Sequence, residues 1–283
     1  MPTRRLLPAG SLAGRVIALS VSDSEDLAAM GFVPTHMQLA LAEIARVVFV
    51  GGARLLYGGD LRAGGHTELL LHELSSYARA KGSLTLCLAW SVHRRTALAS
   101  LEKTDQRLGI RGEIRALDAT GQPLADWRAN RPAQAMADMP EADKQAALTA
   151  MREDMCAMEQ ARITFGGRRR SGDILPGVLQ ETGMSLARQH PVFLVGGFGG
   201  ITLDMAAAID PRCLALRPAS ASGPGPAAAA GLADITARAA AGGGWALLHN
   251  GLGNNENLRL AATHRPSEIA ALVATGLGRL ASP

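Results

Sequence analysis

The feature that most constrains the fold is an order of elements that recurs along the chain. Three times, a short apolar run is followed directly by a pair of glycines and then by a helical pattern. The apolar runs are residues 53–57, 162–165 and 192–195. Strands that alternate with helices form right-handed βαβ units, so this order predicts a parallel sheet.

The other apolar runs extend the alternation. Further strands are predicted at residues 15–22, 83–90, 113–118 and 245–248, and helices at residues 34–49 and 67–80. Apolar residues make up 47% of the chain but aromatic residues only 4%, so the core must consist mainly of Ala, Val, Leu and Ile. Such side chains suit helices packed closely on a buried parallel sheet. The predicted fold class is therefore α/β, a Rossmann-like three-layer sandwich with a mostly parallel central sheet.

The 283 residues are predicted to form one large domain at residues 15–283, preceded by an N-terminal tail at residues 1–14. Residues 119–140 lack periodicity and contain several prolines, which predicts a surface excursion over one edge, or a lid. Residues 218–244 are rich in Ala, Gly, Ser and Pro, which predicts a flexible insertion leading into one short helix. The apolar helix at residues 269–277 either supplies a dimer face or packs on the sheet.

Composition argues against several partner classes. The formal charge is +4, but the basic residues are spread along the chain without interleaved aromatics, so nucleic acid is not expected as the main ligand. The three cysteines, Cys87, Cys156 and Cys213, are widely spaced, and the seven histidines form no metal-binding pair, so neither a disulfide framework nor a metal site is predicted. No run reaches the roughly 18 uncharged apolar residues of a membrane helix, and the predicted location is the cytoplasm.

The three glycine-rich turns are candidate anion-binding sites. In an open parallel sheet, ligands bind beyond the carboxyl ends of the strands, where helix N-termini present unpaired N–H groups. Glycine lets a phosphate approach that backbone closely, although a tight turn also uses glycine for purely structural reasons. No turn is a P-loop, and residues 196–200 are too compact for a dinucleotide fingerprint. The turns together predict a pocket for a phosphate-bearing, nucleotide-like molecule.

Polar residues beside these turns are further candidates. Arg168 is placed to make paired hydrogen bonds to a phosphate, or it belongs to a solvated basic turn with Arg169 and Arg170. Glu181 falls one helical turn after Gly177 and either accepts hydrogen bonds from ribose hydroxyls or is an exposed helix charge. The other polar residues at the turns are Asp60, Arg62, His66, Thr67 and Asp204.

Four stretches of the chain resemble the SLOG superfamily of Rossmann-like nucleotide-binding domains. They are residues 57–70 (YGGDLRAGGHTELL), 161–181, 191–205 (PVFLVGGFGGITLDM) and 250–277, and together they span most of the chain. The greatest similarity is to stand-alone and effector-associated SLOG sensor domains, relatives of the sensor in the Thoeris antiphage effector and of the N-terminal region of TRPM channels.

This resemblance implies a pocket for a nucleotide derivative made from NAD, such as ADP-ribose or a cyclic isomer, in a signalling or defence system. It implies no required cofactor, and signalling through homo-oligomers or an effector partner. With Arg62 added from the polar residues beside the first turn, the candidate ligand-binding residues are Gly58, Gly59, Asp60, Arg62, Gly65, Thr67, Gly166, Gly167, Arg168, Pro176, Gly177, Glu181, Gly196, Gly197, Phe198, Gly199 and Gly200.

The enzymatic branch of the superfamily, the phosphoribohydrolases that release cytokinin bases, uses a PGGxGTxxE turn with an active-site carboxylate. Val195, Gly200 and Leu203 stand here at the positions of its Pro, Thr and Glu. This departure removes the acid/base carboxylate from its place and favours a non-catalytic binding domain. The alternative is an N-glycosidase or phosphoribohydrolase acting on NAD or a nucleoside monophosphate, with Glu181 as the catalytic carboxylate. Asp204, which neighbours Leu203, is a second candidate to replace the missing carboxylate. A third hypothesis is a DprA-like binder of single-stranded DNA.

Overall fold

The computed structural model describes residues 7–59, 61–62, 64–131, 134–170 and 174–281. Within these residues, six strands form one parallel sheet in the order β4-β3-β2-β1-β5-β6. The strands are β1 (Val16–Ser22), β2 (Arg54–Tyr57), β3 (Leu84–Leu88), β4 (Gly112–Ala116), β5 (Ala161–Gly166) and β6 (Val192–Val195). The sheet confirms the predicted α/β, Rossmann-like class.

Helices follow the strands along the chain and cover both faces of the sheet. They are α1 (Pro34–Val50), α2 (His66–Tyr77), α3 (Trp90–His93), α4 (Leu98–Leu108), α5 (Glu141–Met158), α6 (Gly177–Ala187), α7 (Gly200–Ile209), α8 (Pro226–Gly242), α9 (Asn254–Ala262) and α10 (Pro266–Ala281). No helix of the described residues is long and apolar enough to cross a membrane.

Alternation along the strands decides which helices lie on which face. Successive strand side chains point to opposite faces. Ile17 and Leu19 of β1 join one apolar cluster with α1, α2, α4 and α10. Ala18, between them, joins a second cluster with Met151 and Met155 of α5. Helices α6, α7 and α8 form a third cluster with Val192 and Leu194 of β6. The arrangement is a three-layer sandwich.

One predicted strand is wrong. Residues 245–248 lie in a 3₁₀ helix, Gly244–Leu248, rather than in the sheet. Trp245 and Leu248 are both buried, and their three-residue spacing puts them on the same side of a 3₁₀ helix. The indole Nε1 of Trp245 donates to Asp210 Oδ2 at 2.9 Å, which holds the segment beside α7.

The segment at residues 218–244 contains more helix than its composition suggests. In place of one short helix, α8 runs for 17 residues from Pro226, which is at a favoured first-turn position, to Gly242, and the left-handed Gly243 caps it. Alanine has the highest helix propensity, and Ala228, Ile235 and Ala239 are buried against neighbouring elements.

Two other segments pack closely against the body of the molecule. In the predicted tail, the described residues 7–14 lie against the end of α1, where Leu12 is buried and its N–H donates to Gly51 at 2.7 Å. In the predicted surface excursion, Trp127 is 6% exposed and Leu117 forms an isolated bridge with Pro123.

The apolar face of α10 is covered within the chain. Ile269, Val273 and Leu277 are buried, and Gly276 lies against the ring of Phe193 of β6. Of the two alternatives for this helix, packing within the domain is the one the structure shows, so these side chains are not available as a dimer face.

Candidate functional site

All three glycine-rich turns lie at one edge of the sheet, beyond the carboxyl ends of β2, β5 and β6. From β1 the chain builds outward through β2 and β3 to β4, then crosses to β5 on the other side of β1. The strand order therefore reverses between β1 and β5. Ligands of open α/β sheets bind at such a reversal point, so this edge is the candidate site.

The turn between β6 and α7 is closed. Residues 196–200 are all buried, and the ring of Phe198 packs against Phe32 and Phe165 in the core. An added Cβ at Gly197 would overlap the carbonyl oxygen of Thr263. Gly200 has a φ of +69°, and an added Cβ there would overlap the carbonyl oxygen of Gly167. Both glycines are thus required by contacts within the chain.

A buried ion cluster occupies the start of α7. The backbone N–H of Gly200 donates to Asp26 Oδ2 at 2.8 Å, so a carboxylate of the chain itself takes the anion position of this helix. The guanidinium of Arg169, fully buried, donates to Asp26 Oδ1 and Oδ2 at 2.6 and 2.7 Å and to Asp204 Oδ2 at 2.6 Å. The loop after β1, the turn after β5 and α7 are thereby joined.

Electrostatics favour the charged forms within this cluster. Burial by itself would raise the pKa of Asp26, but the hydrogen bonds from Arg169 and Gly200 and the charges of Arg169 and Arg217 hold that pKa below its ordinary value. Burial opposes the charge of Arg169, yet its two carboxylate partners raise the pKa of the guanidinium above its ordinary value.

The turn between β2 and α2 is more open. Gly58, Gly59 and Gly65 are half-buried and Arg62 is exposed. Gly58 lies against Met151 and Met155 of α5, and an added Cβ at Gly59 would overlap the ring of Tyr57. Even here, the glycine pair is explained by contacts within the chain.

Other residues of this turn face the end of β1. The exposed Arg62 lies 3.8 Å from Asp23, measured from Nη2 to Oδ2. His66 Nε2 lies 3.6 Å from Asp23 Oδ1, and Thr67 is buried at the start of α2. Asp60 lies outside the described residues, so its role remains a prediction.

The turn between β5 and α6 combines closed and open positions. Gly166 and Gly167 are buried, whereas the side chain of Arg168 is exposed. The alternative of a solvated basic turn holds for Arg168 and Arg170 but is wrong for Arg169, which is fully buried. Pro176 is buried and Gly177 is half-buried at the first position of α6.

The start of α6 differs from that of α7 in its charge. Among the described residues, no acidic side chain lies in the first turn of α6 and no side chain caps it. The guanidinium of Arg152, from α5, lies against Gly177, where an added Cβ would overlap Nη2. This end of α6 therefore combines a positive dipole end with a neighbouring cation.

Glu181 is not an exposed helix charge, because it is buried on the inner face of α6. Its Oε2 accepts a hydrogen bond from Arg162 Nη1 at 2.9 Å and another from the hydroxyl of Ser20. Its Oε1 lies 3.4 Å from Arg152 Nε. Both carboxylate oxygens are therefore engaged within the chain. Leu203, at the position of the carboxylate in the enzymatic branch, is 1% exposed.

The Glu181 network continues along the sheet through Arg162. This guanidinium donates to Ser20 at 2.6 Å and to Ser185 at 2.7 Å, and it pairs with Glu159. The sequence analysis missed Ser20, Arg152 and Arg162. Arg162 could have been found, because a charged residue within an apolar strand must be paired when it is buried. Arg152 has no local signal.

One group of metal-ligating residues is present within the described part of the chain. The ligand atoms of Cys156, Glu159 and His190 lie within 4.8 Å of one another. The guanidinium of Arg162 pairs with Glu159, and Arg188 Nη1 lies 3.3 Å from the sulfur of Cys156. Burial also raises the pKa of the Cys156 thiol. Two of the three candidate ligands already interact with an arginine, and the thiolate form of Cys156 is disfavoured. These observations argue against a metal ion at this position.

The parallel sheet, its helices on both faces and its reversal point between β1 and β5 define a Rossmann-like α/β protein whose ligand edge lies at the carboxyl ends of the strands. More narrowly, the chain belongs to the SLOG cluster2 family, whose model matches residues 11–260. This confirms the SLOG resemblance of the sequence. Membership suggests nucleotide-related binding or a glycosidase role.

Among solved structures, the chain is similar to the X-ray structure of TM1055, a target of the Northeast Structural Genomics Consortium. The two are 15% identical, the match covers 66% of this chain and 78% of that chain, and the TM-score is 0.36. No curated protein sequence matches the chain.

Proposed function

We propose that this protein binds an NAD-derived nucleotide, ADP-ribose or a cyclic isomer, as a non-catalytic sensor in a signalling or defence system. The observation that carries the proposal is the start of α6, to which the described residues supply no acidic cap and which lies against the guanidinium of Arg152. An uncapped helix N-terminus beside an arginine suits a phosphate group. The exposed Arg168, from the turn after β5, supplies a second cation at the same edge of the sheet.

The pocket would lie on the open part of this edge. Its lining would consist of the half-buried or exposed positions Gly58, Gly59, Arg62, Gly65, Arg168 and Gly177. The residues of the β6–α7 turn would instead stabilise the backbone conformation at this edge from the protein interior, because they are buried. Family membership supports a nucleotide as the ligand class.

The absence of turnover is supported by the state of the carboxylates. Glu181 is bonded to Arg162 and Ser20, and Asp204 is paired with Arg169. A general acid or a nucleophile for glycosidic cleavage needs an oxygen that can reach the substrate. At these two candidate carboxylates, the oxygens face cations of the chain itself.

Calorimetric titration with ADP-ribose, its cyclic isomers and NAD tests binding. Each sample is then analysed for released base or nicotinamide after several hours at high protein concentration. We expect saturable binding with the ligand recovered intact. Binding that is absent with all of these nucleotides would refute the proposal, and release of base by the wild-type protein would establish the N-glycosidase instead.

A further inference from the structure

A second group of basic residues lies away from the glycine-rich turns, at the carboxyl ends of β3 and β4. His93 and Arg94 are at the end of α3, which follows β3, and Arg131 belongs to the segment after β4. His93 is fully buried, Arg131 is 7% exposed and Arg94 is half-buried. His93 Nε2 bonds the carbonyl oxygen of Leu117, just beyond β4, at 2.7 Å.

Arg131 is a buried cation that uses only one of its nitrogens. Its Nη2 donates to the carbonyl oxygens of His93, at 2.8 Å, and of Thr96. Its Nε and Nη1 atoms are buried and have no hydrogen-bond partner among the described residues. Burial lowers the pKa of this guanidinium. Three N–H hydrogens of Arg131 therefore lack an acceptor.

The two neighbouring residues add further unpaired atoms. Arg94 Nε is buried without a partner in the described part of the chain, and its guanidinium carbon lies 5.9 Å from the centre of the Trp90 ring. Burial lowers the pKa of His93, so the ring is neutral at neutral pH, with Nε2 donating to Leu117 and Nδ1 left as an acceptor. That Nδ1 atom also has no hydrogen-bond partner within the residues that the structure describes.

Counted over the described residues, the three side chains thus offer four buried N–H hydrogens without an acceptor and one nitrogen without a donor. Buried polar groups in folded proteins are nearly always hydrogen-bonded, and an unpaired buried cation is especially costly. A hydrogenphosphate group matches this set, because its oxygens accept from guanidinium N–H groups and its O–H can donate to an imidazole nitrogen.

We propose that Arg131, Arg94 and His93 form a binding site for a phosphate group, either inorganic phosphate or the phosphate of a monoester such as AMP. The site uses none of the residues of the proposed nucleotide pocket, so either proposal can fail while the other holds.

Thermal unfolding of the full chain in increasing inorganic phosphate, against chloride at equal ionic strength, tests the site. At ten times the dissociation constant we expect a saturable rise in melting temperature of about 3 °C. Arg131→Met should abolish the rise. The matched control is Arg128→Met, on the same segment but with an exposed side chain paired to Asp105, and it should keep the rise.

Arg131 also holds two backbone carbonyls, so its replacement can impair folding. Arg94→Met provides the second variant, because the side chain of Arg94 is half-buried and interacts with Met136 and Trp90 rather than with a backbone carbonyl of the described residues. We expect it to fold and to need about tenfold more phosphate for half-saturation. A phosphate effect that is unchanged in Arg94→Met, or that grows without saturation as a general salt effect does, would overturn the proposal.

A parallel titration with AMP separates the two sources of phosphate. A melting-temperature rise with AMP that Arg94→Met removes identifies a phosphate monoester as an occupant, whereas a rise with inorganic phosphate alone identifies the free ion. A rise with AMP that survives in Arg94→Met and disappears in Arg168→Ala belongs to the nucleotide pocket. If that is the only phosphate effect observed, the site at Arg131 is refuted.

Discussion

The turns after β2 and after β6 have the same local pattern, a short apolar strand followed by two glycines, yet they differ in the structure. Residues 196–200 are buried, and the first N–H of α7 is occupied by the carboxylate of Asp26. Gly58 and Gly59 are half-buried, and the chain continues through the exposed Arg62. The comparison teaches that a glycine pair marks a close backbone approach without showing whether the approaching group is a ligand or the protein itself.

The same contrast holds between two adjacent arginines. Arg168 is exposed, whereas Arg169 is fully buried between Asp26 and Asp204. The side chain of Arg168 faces solvent, whereas that of Arg169 joins the loop after β1, the turn after β5 and helix α7. Four measurements would confirm or contradict this difference between exposed positions and positions that are closed by contacts within the chain.

The largest effect is expected from Arg169→Ala. The substitution leaves the buried carboxylates of Asp26 and Asp204 without their counterion and should lower the free energy of unfolding by about 3–5 kcal/mol. Urea denaturation measures the change. The control is Arg168→Ala, which should lie within about 0.5 kcal/mol of wild type because its side chain is exposed. Equal losses of unfolding free energy in the two variants would contradict the difference between the buried Arg169 and the exposed Arg168.

The next effect concerns two glycines with nearly equal backbone angles. Gly200 has a φ of +69° and Gly64 a φ of +68°, but an added Cβ meets the carbonyl of Gly167 at Gly200 and nothing within 4 Å at Gly64. Gly64→Ala should cost about 1 kcal/mol from the left-handed backbone alone, and Gly200→Ala about 2 kcal/mol more from the overlap. The difference between the unfolding free energies of the two variants gives the cost of the overlap between the added Cβ and the carbonyl of Gly167. If the two costs are the same, the β6–α7 turn can open.

A smaller effect is expected on ligand binding. Arg168→Ala should weaken ADP-ribose binding about tenfold, or about 1.4 kcal/mol, through loss of a charge-assisted hydrogen bond to phosphate. Calorimetry compares this variant with Arg170→Ala. Arg170 is also exposed, but its side chain donates to the carbonyl of Gly223, so we expect its replacement to leave the affinity for ADP-ribose at the wild-type value. Unchanged affinity in Arg168→Ala would remove this residue from the site.

The smallest effect is a dependence on pH. The pKa of Asp26 is lower in the folded protein than its ordinary value of 3.8, so its contribution to stability is present above that pH and is lost as the pH falls through the folded value. Asp26→Asn should therefore lose less stability than wild type on acidification from pH 5 to pH 3. Urea denaturation at each pH checks this, and parallel curves for the two proteins would contradict it.

The differences between prediction and structure have physical causes in particular segments. The alanine-rich residues 226–242 form a full helix, because packing on α6 and α7 adds to their local propensity. Residues 245–248 have the composition of a strand but a burial pattern with a three-residue period. The position of Glu181 after the glycine turn is also typical of an exposed charge on a helix, yet its carboxylate lies inward and accepts a hydrogen bond from Arg162.

The sequence by itself determined the α/β class, six of the strands, the family and the edge of the sheet at which the glycine turns meet. The class, the strands and the edge follow from alternation and local spacing, which a linear pattern records, and the family follows from the resemblance of four sequence stretches. Only the tertiary structure decided which turn is closed, which arginine is buried and which carboxylates are paired. Asp26 and Arg169 are 143 residues apart in the chain and bond at 2.6 Å. Such pairings arise from how the strands are ordered in the sheet, and no local pattern contains that order.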